Sequence, residues 1–121
     1  MTQKLVFLVD DEPTVVQTLS AILGRHGYNV KPFTLPLEAL AAADEKEPDL
    51  LFTDVVMPLL NGLQLADKMV EKWPACKVLL ISGNATFVEE YVKEMRYGLL
   101  EKPAAVADIL SAVRDLIGAP A

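Results

Sequence analysis

Leu5-Val6-Phe7-Leu8-Val9-Asp10-Asp11-Glu12-Pro13 is the stretch on which the reading of this chain turns. Five apolar residues in a row, with no polar alternation, suit a short strand covered on both faces. Acidic residues stop the run, and the proline after them suits the first turn of a helix. Val15, Val16, Leu19, Ile22 and Leu23 then recur at helical spacing, with Gly24 and Gly27 to end the helix.

The same unit repeats outward from that stretch. Tyr28, Val30 and Pro32 alternate as a weaker strand, and a proline that cannot donate to a ladder places it at a sheet edge. Pro36 opens a helix over Leu37 to Ala43, which closes before Pro48. Leu50-Leu51-Phe52-Thr53 is the next buried strand, Asp54 to Asn61 a loop, and Gly62 to Lys72 a helix with Leu63, Ala66, Met69 and Val70 on one side. Val78 to Ile81 and Gly98 to Leu100 read as the last two strands. The helices after them carry the stripes Val88, Tyr91, Val92, Met95 and Val106, Ile109, Leu110, Val113, Leu116, Ile117, the latter ending at Gly118. Strict alternation of strand and helix predicts an α/β domain over residues 1–121, with a parallel sheet, helices on both faces and right-handed crossovers.

Composition narrows the function. The chain has 121 residues, 52% of them apolar, which is one domain with a real core and not a disordered segment. Eleven basic against 17 acidic residues leave a net charge of −6, which disfavours direct nucleic-acid binding and an anionic membrane surface. A single cysteine, Cys76, excludes an internal disulfide and a multi-cysteine metal site. No apolar run approaches the roughly 18 residues of a membrane span, and the first is too short for a signal segment. The expected location is cytoplasmic.

The chemistry lies where the strands stop. The first ends at Asp10-Asp11, the third at Thr53-Asp54, the fourth at Ser82-Gly83 and the fifth at Glu101-Lys102-Pro103. In an open parallel sheet the carboxyl ends of all strands lie along one edge, where ligands bind. Three carboxylates, a hydroxyl and an ammonium should therefore converge although they are scattered in sequence. Packed acids repel one another, and a hard divalent cation such as Mg²⁺ relieves that with oxygen ligands. With Lys102 opposite, the site becomes a receptacle for a phosphoryl group, and a carboxylate can itself be the nucleophile.

These residues resemble the receiver domain of two-component response regulators over essentially the full chain. The motifs are Leu8-Val9-Asp10-Asp11-Glu12-Pro13, Thr53-Asp54-Val55-Val56-Met57-Pro58, Gly62, Leu80-Ile81-Ser82-Gly83 and Leu100-Glu101-Lys102-Pro103, in that order. The resemblance implies a flavodoxin-like (βα)5 fold with strand order 2-1-3-4-5. It implies Asp54 as phosphoacceptor and Mg²⁺ held by Asp11, Asp54 and the backbone carbonyl of Val56, with Asp10 acting through water. Ser82 and Lys102 would close on the phosphoryl oxygens, and the Lys102–Pro103 bond is commonly cis in such domains. The implied partners are a sensor histidine kinase or a histidine phosphotransfer module and an output partner of unknown identity. The surface of the fourth helix, fifth strand and fifth helix would switch, and could also pair two copies. The parent would be a stand-alone regulator, a larger response regulator or a hybrid sensor kinase. The domain would catalyse only its own phosphorylation and dephosphorylation.

Two positions depart from the family pattern. An aromatic residue often stands three places before the lysine, where this chain has Leu99, with Tyr97 two residues earlier on the same strand face. Signalling would then run through Ser82 and the helix after it. Val56 stands where polar residues are common, so Asn84 is the side chain left to orient a hydrolytic water. Two other classes compete. A haloacid-dehalogenase-like phosphatase wants a second aspartate at position 56. A phosphorylation-independent pseudo-receiver would lack the acceptor, the acidic pair or the lysine.

The remaining candidates have plainer readings. His26 closes the first helix, where a cation is favourable. Cys76 is a structural or surface thiol that Lys77 could modestly activate. Trp73-Pro74 packs and terminates the third helix. Phe87 lies off its helix's stripe, either because the helix is rotated or because it is an exposed aromatic on a partner-facing surface, with partial burial the expected outcome.

Overall fold

The structure, a computed structural model, describes residues 3–57 and 60–120. Pro58, the last residue of the second motif, lies outside them. Five strands alternate with five helices: β1 (Leu5–Val9), α1 (Pro13–Arg25), β2 (Asn29–Phe33), α2 (Pro36–Glu45), β3 (Leu50–Asp54), α3 (Gly62–Lys72), β4 (Lys77–Ser82), α4 (Ala85–Met95), β5 (Gly98–Glu101) and α5 (Val106–Ile117). The strands form one parallel sheet in the order β2-β1-β3-β4-β5. This is the flavodoxin-like order expected from the resemblance.

Each central strand is apolar throughout because both of its faces are covered. In β1, Leu5, Phe7 and Val9 pack into one cluster with Ala39 and Ala43 of α2, Leu65 and Met69 of α3, and Val88 and Val92 of α4. Val6 and Leu8 pack into a second cluster with Val16 and Leu23 of α1 and Ile109 and Val113 of α5. Successive strand side chains alternate between faces, so one apolar run serves two cores.

Pro32 lies on the edge strand, as its missing N–H requires. The alternation expected there does not hold, however. Tyr28 is buried but precedes β2, and Val30 and Phe33, not Pro32, are the half-buried positions. Phe33 packs against Phe7, with ring centroids 5.0 Å apart. Two helical stripes are also wetter than expected. Tyr91 and Met95 of α4 and Val106 of α5 are exposed, while Val88, Val92, Ile109 and Val113 carry the packing.

Candidate functional site

Strand register brings the polar ends to one rim. Val9 pairs with Thr53, Asp54 with Ile81, and Ser82 with Glu101, so Asp10, Asp54, Ser82 and Lys102 sit at the carboxyl ends of four neighbouring strands. Asp54 and Ser82 are the last residues of β3 and β4 rather than loop residues, which makes them as fixed as the sheet. Asp10, Asp54 and Ser82 are buried, whereas Asp11 and Lys102 reach solvent.

Carboxylate oxygens of Asp10, Asp11 and Asp54 all lie within 4.8 Å of one another. Asp10 Oδ1 accepts the Glu12 N–H at 2.9 Å. Burial, with the neighbouring Asp54 and Asp11 charges, still raises the Asp10 carboxyl above its ordinary range, against the pull of that hydrogen bond and of Lys102. Lys102 Nζ donates to Asp54 Oδ2 at 2.7 Å. Burial lowers the Lys102 ammonium, but the Asp54 contact and the surrounding acids outweigh it and raise it, so it stays charged.

Local backbone geometry completes the rim. The Val56 N–H donates to Asp54 Oδ1 at 3.2 Å, and the Val56 side chain is 74% exposed. The Ser82 hydroxyl oxygen accepts the Asn84 N–H at 3.1 Å, and the Lys102 N–H donates to the Ser82 carbonyl at 2.9 Å. Lys102–Pro103 is cis. Gly62, at the start of α3, donates its N–H to the Val55 carbonyl at 2.8 Å; a Cβ there would lie 2.9 Å from the Asp54 carbonyl carbon and from Val55 Cα. Only glycine lets α3 approach β3 this closely. Asn61 caps α3 by accepting the Gln64 N–H, and Gln64 returns a bond from the Asn61 N–H.

The donor set fits a hard cation. Three carboxylates at mutual oxygen distances a single ion can span, one of them exposed, offer Mg²⁺ both ligands and an approach.

A family model for the response regulator receiver domain matches residues 6–114. The chain belongs to that family. The probable transcriptional regulatory protein TcrX of Mycobacterium tuberculosis is 29% identical to this receiver over 115 residues, which cover 93% of this chain and 49% of TcrX. The sensor kinase CckA of Brucella abortus is 29% identical over 116 residues, 93% of this chain and 12% of that protein. The receiver thus spans about half the length, or much less, of these curated relatives. The chemotaxis protein CheY4 of Vibrio cholerae shares the fold, with a TM-score of 0.87, 24% identity and coverage of 95% of this chain and 99% of CheY4.

Other sequence candidates lie away from the rim or behave differently there. Phe87 is 86% exposed, which overturns the expectation of partial burial: α4 turns Val88 inward and leaves Phe87 on the surface beside Val56. Tyr97 and Leu99 belong to the same core face, as period-2 alternation requires, and Tyr97 is buried just before β5. The Cys76 thiol is buried and pushed up to about 12, chiefly by burial, so Lys77 does not activate it. His26 caps α1, its Nδ1 2.9 Å from the Ile22 carbonyl. Trp73 follows α3 as its C-cap and packs against the core. Sequence reasoning missed Asp67 of α3, whose carboxylate takes two tyrosine hydroxyls. It is one acid among several on an amphipathic helix, and no strand end marks it. Among the described residues no helix is long and apolar enough to cross a membrane.

Proposed function

We propose that Asp54 accepts a phosphoryl group from a phosphohistidine on a sensor histidine kinase or a histidine phosphotransfer module. An Asp54 oxygen attacks phosphorus in line, the P–N bond to the donor imidazole breaks with its electron pair returning to the ring, and the new P–O bond leaves an acyl phosphate. The Lys102 ammonium stands 2.7 Å from Asp54 Oδ2, where charge on the transferred oxygens would be met. Asp10, Asp11, Asp54 and the Val56 carbonyl are the groups that would hold Mg²⁺. When bound, that ion supplies charge neutralisation between the acids and the phosphoryl oxygens.

The transferred group brings a charge of about −1.5 to −2 and strong acceptor oxygens. Lys102 and the Ser82 hydroxyl are the donors positioned to turn toward it. Ser82 also holds the Asn84 N–H at the entry to α4, and its carbonyl holds the Lys102 N–H after β5. A shift of Ser82 therefore pulls on both elements. The α4-β5-α5 surface is where an output partner, or a second copy, would read the change. The finding that carries this reading is the meeting of Lys102 with Asp54 beside Asp10 and Asp11 at a rim built from four separate strand ends.

Intact-mass measurement after incubation with acetyl phosphate and Mg²⁺ tests it. One phosphoryl adduct is expected on the wild type, none on Asp54→Asn, and none when the metal is chelated. No adduct from acetyl phosphate or from a phosphorylated kinase would make the domain a phosphorylation-independent binding module. Steady hydrolysis of phosphomonoesters would make it a phosphatase of the haloacid-dehalogenase type.

A further inference from the structure

Asp67 lies on α3 and holds two other elements at once. Tyr97, at the entry to β5, donates its hydroxyl to Asp67 Oδ1 at 2.7 Å, and Tyr91 on α4 donates to Oδ2. Hydrogen bonds to an ionised carboxylate are the stronger kind, and here each oxygen carries one. Burial first, then the Asp67 bond, raises the Tyr97 hydroxyl, and the Asp67 bond chiefly raises that of Tyr91. Both therefore remain donors at neutral pH.

The three elements are unequally anchored. α3 begins with a capping box and buries Gly62, Leu65, Ala66 and Met69. α4 has no side-chain cap, buries only Val88 and Val92, and exposes Phe87, Tyr91 and Met95. By burial and capping α4 is therefore held less firmly than α3. The hydroxyl of Tyr91 is thus a fastening between a weakly held helix and a firmly held one. Tyr97 ties the entry to β5 to α3 in the same way.

We infer that Asp67 is a latch, a positioning residue that fastens α4 and the start of β5 to α3 and so sets how readily α4 moves when Asp54 is phosphorylated. The second half of that statement rests on the phosphoacceptor reading above. A tie present in only one position of α4 stabilises that position, and a donor favouring the other must work against it.

Three measurements on Asp67→Asn, Asp67→Ala, Tyr91→Phe and Tyr97→Phe decide it. Ultraviolet titration of the wild type and Asp67→Asn reads the contact itself: two of the tyrosines should ionise at lower pH once the carboxylate is gone. Hydrogen exchange reads the helix: the Val92 and Lys93 amides should exchange about threefold faster or more in Asp67→Asn and Tyr91→Phe, while Val16 and Leu23 in α1 are unchanged. Adduct formation from acetyl phosphate reads the coupling. It should quicken about threefold in Asp67→Ala, which leaves no acceptor for either hydroxyl, and adding Tyr97→Phe to that variant should change it no further.

An unchanged titration, or faster exchange in α1 and α4 alike, would overturn the latch. Faster exchange in α4 with an unchanged adduct rate would overturn its role in switching. If the wild type takes no adduct, the phosphoacceptor reading is what has failed, and exchange at Val92 and Lys93 still decides whether Asp67 fastens α4.

Discussion

At the entry end of the sheet Asp49 accepts the Leu5 N–H on Oδ2 at 2.7 Å, its own N–H donates to the Leu5 carbonyl at 2.9 Å, and its carbonyl takes the Lys77 N–H at 3.0 Å. At the exit end Asp10, Asp11 and Asp54 face one another, with two backbone N–H groups and Lys102 to share. The same side chain closes backbone valences at one end and is left with charge against charge at the other. Carboxylates absorbed into a ladder serve stability. Carboxylates crowded at a rim reduce it and keep their oxygens available for a ligand. The contrast sets a carboxylate used by the backbone at one end of the sheet against a cluster of only partly compensated carboxylates at the other, and it can be broken by substitution.

The largest effect should come from neither set of acids but from the glycine that lets the exit end assemble. In Gly62→Ala the new methyl meets backbone, at 2.9 Å from the Asp54 carbonyl carbon and Val55 Cα, and backbone cannot swing aside like a side chain. Overpacking of this kind should cost about 3 kcal/mol in urea unfolding. A loss below about 1 kcal/mol would mean that α3 backs away from β3 freely and that the rim is not rigidly framed. Asp49→Ala comes next. It strands the N–H of Leu5, which is 2% exposed, and should cost about 1–2 kcal/mol by the same measurement.

Asp10→Asn should move the other way. The raised Asp10 carboxyl means that the folded protein binds this proton more readily than the unfolded chain does. Its contribution is therefore most favourable below the ordinary value of 3.8 and is lost as pH climbs through the raised folded value. Asparagine keeps an oxygen for the Glu12 N–H and removes the charge. At neutral pH the variant should be more stable by about 0.5–1 kcal/mol. Urea midpoints followed downward in pH should converge on the wild type in the acid range. Loss of stability at pH 7 would show that Asp10 is held by favourable contacts, and the distinction between the two ends would fail.

Much of this was legible because the signals are one-dimensional. The short apolar runs Leu5–Val9 and Leu50–Phe52, repeated in alternation with helical stripes, suit doubly covered strands, and once the sheet is parallel the ends of its strands must share an edge. That places Asp10, Asp54, Ser82 and Lys102 together without any pairwise information. What the sequence did not disclose depends on rotation and on contacts across helices. The stripe Val88, Tyr91, Val92, Met95 is compatible with several rotations of α4, and only packing chose the one that buries Val88 and exposes Phe87. Asp67 reaches Tyr91, 24 residues away, and Tyr97, 30 residues away, and nothing local distinguishes it from any other surface acid. The Asp49 clamp on Leu5 escaped for the same reason.

The smallest expected effect sharpens the contrast from the apolar side. Val56 and Phe87 line one hollow beside Ser82, and they are 74% and 86% exposed. Large side chains this wet bury little area, so Phe87→Ser and Val56→Ser should each change unfolding free energy by less than about 0.5 kcal/mol. Truncating a buried residue of the same helix is different in kind. Val92→Ala opens space inside the core cluster and should cost about 1–3 kcal/mol. If Phe87→Ser matched Val92→Ala, the exit rim would owe part of its stability to its apolar margin, and the division between the two ends would have to be redrawn. If it is silent, the hollow beside Ser82 is lined by large side chains that contribute nothing to folding, and the division between the two ends stands.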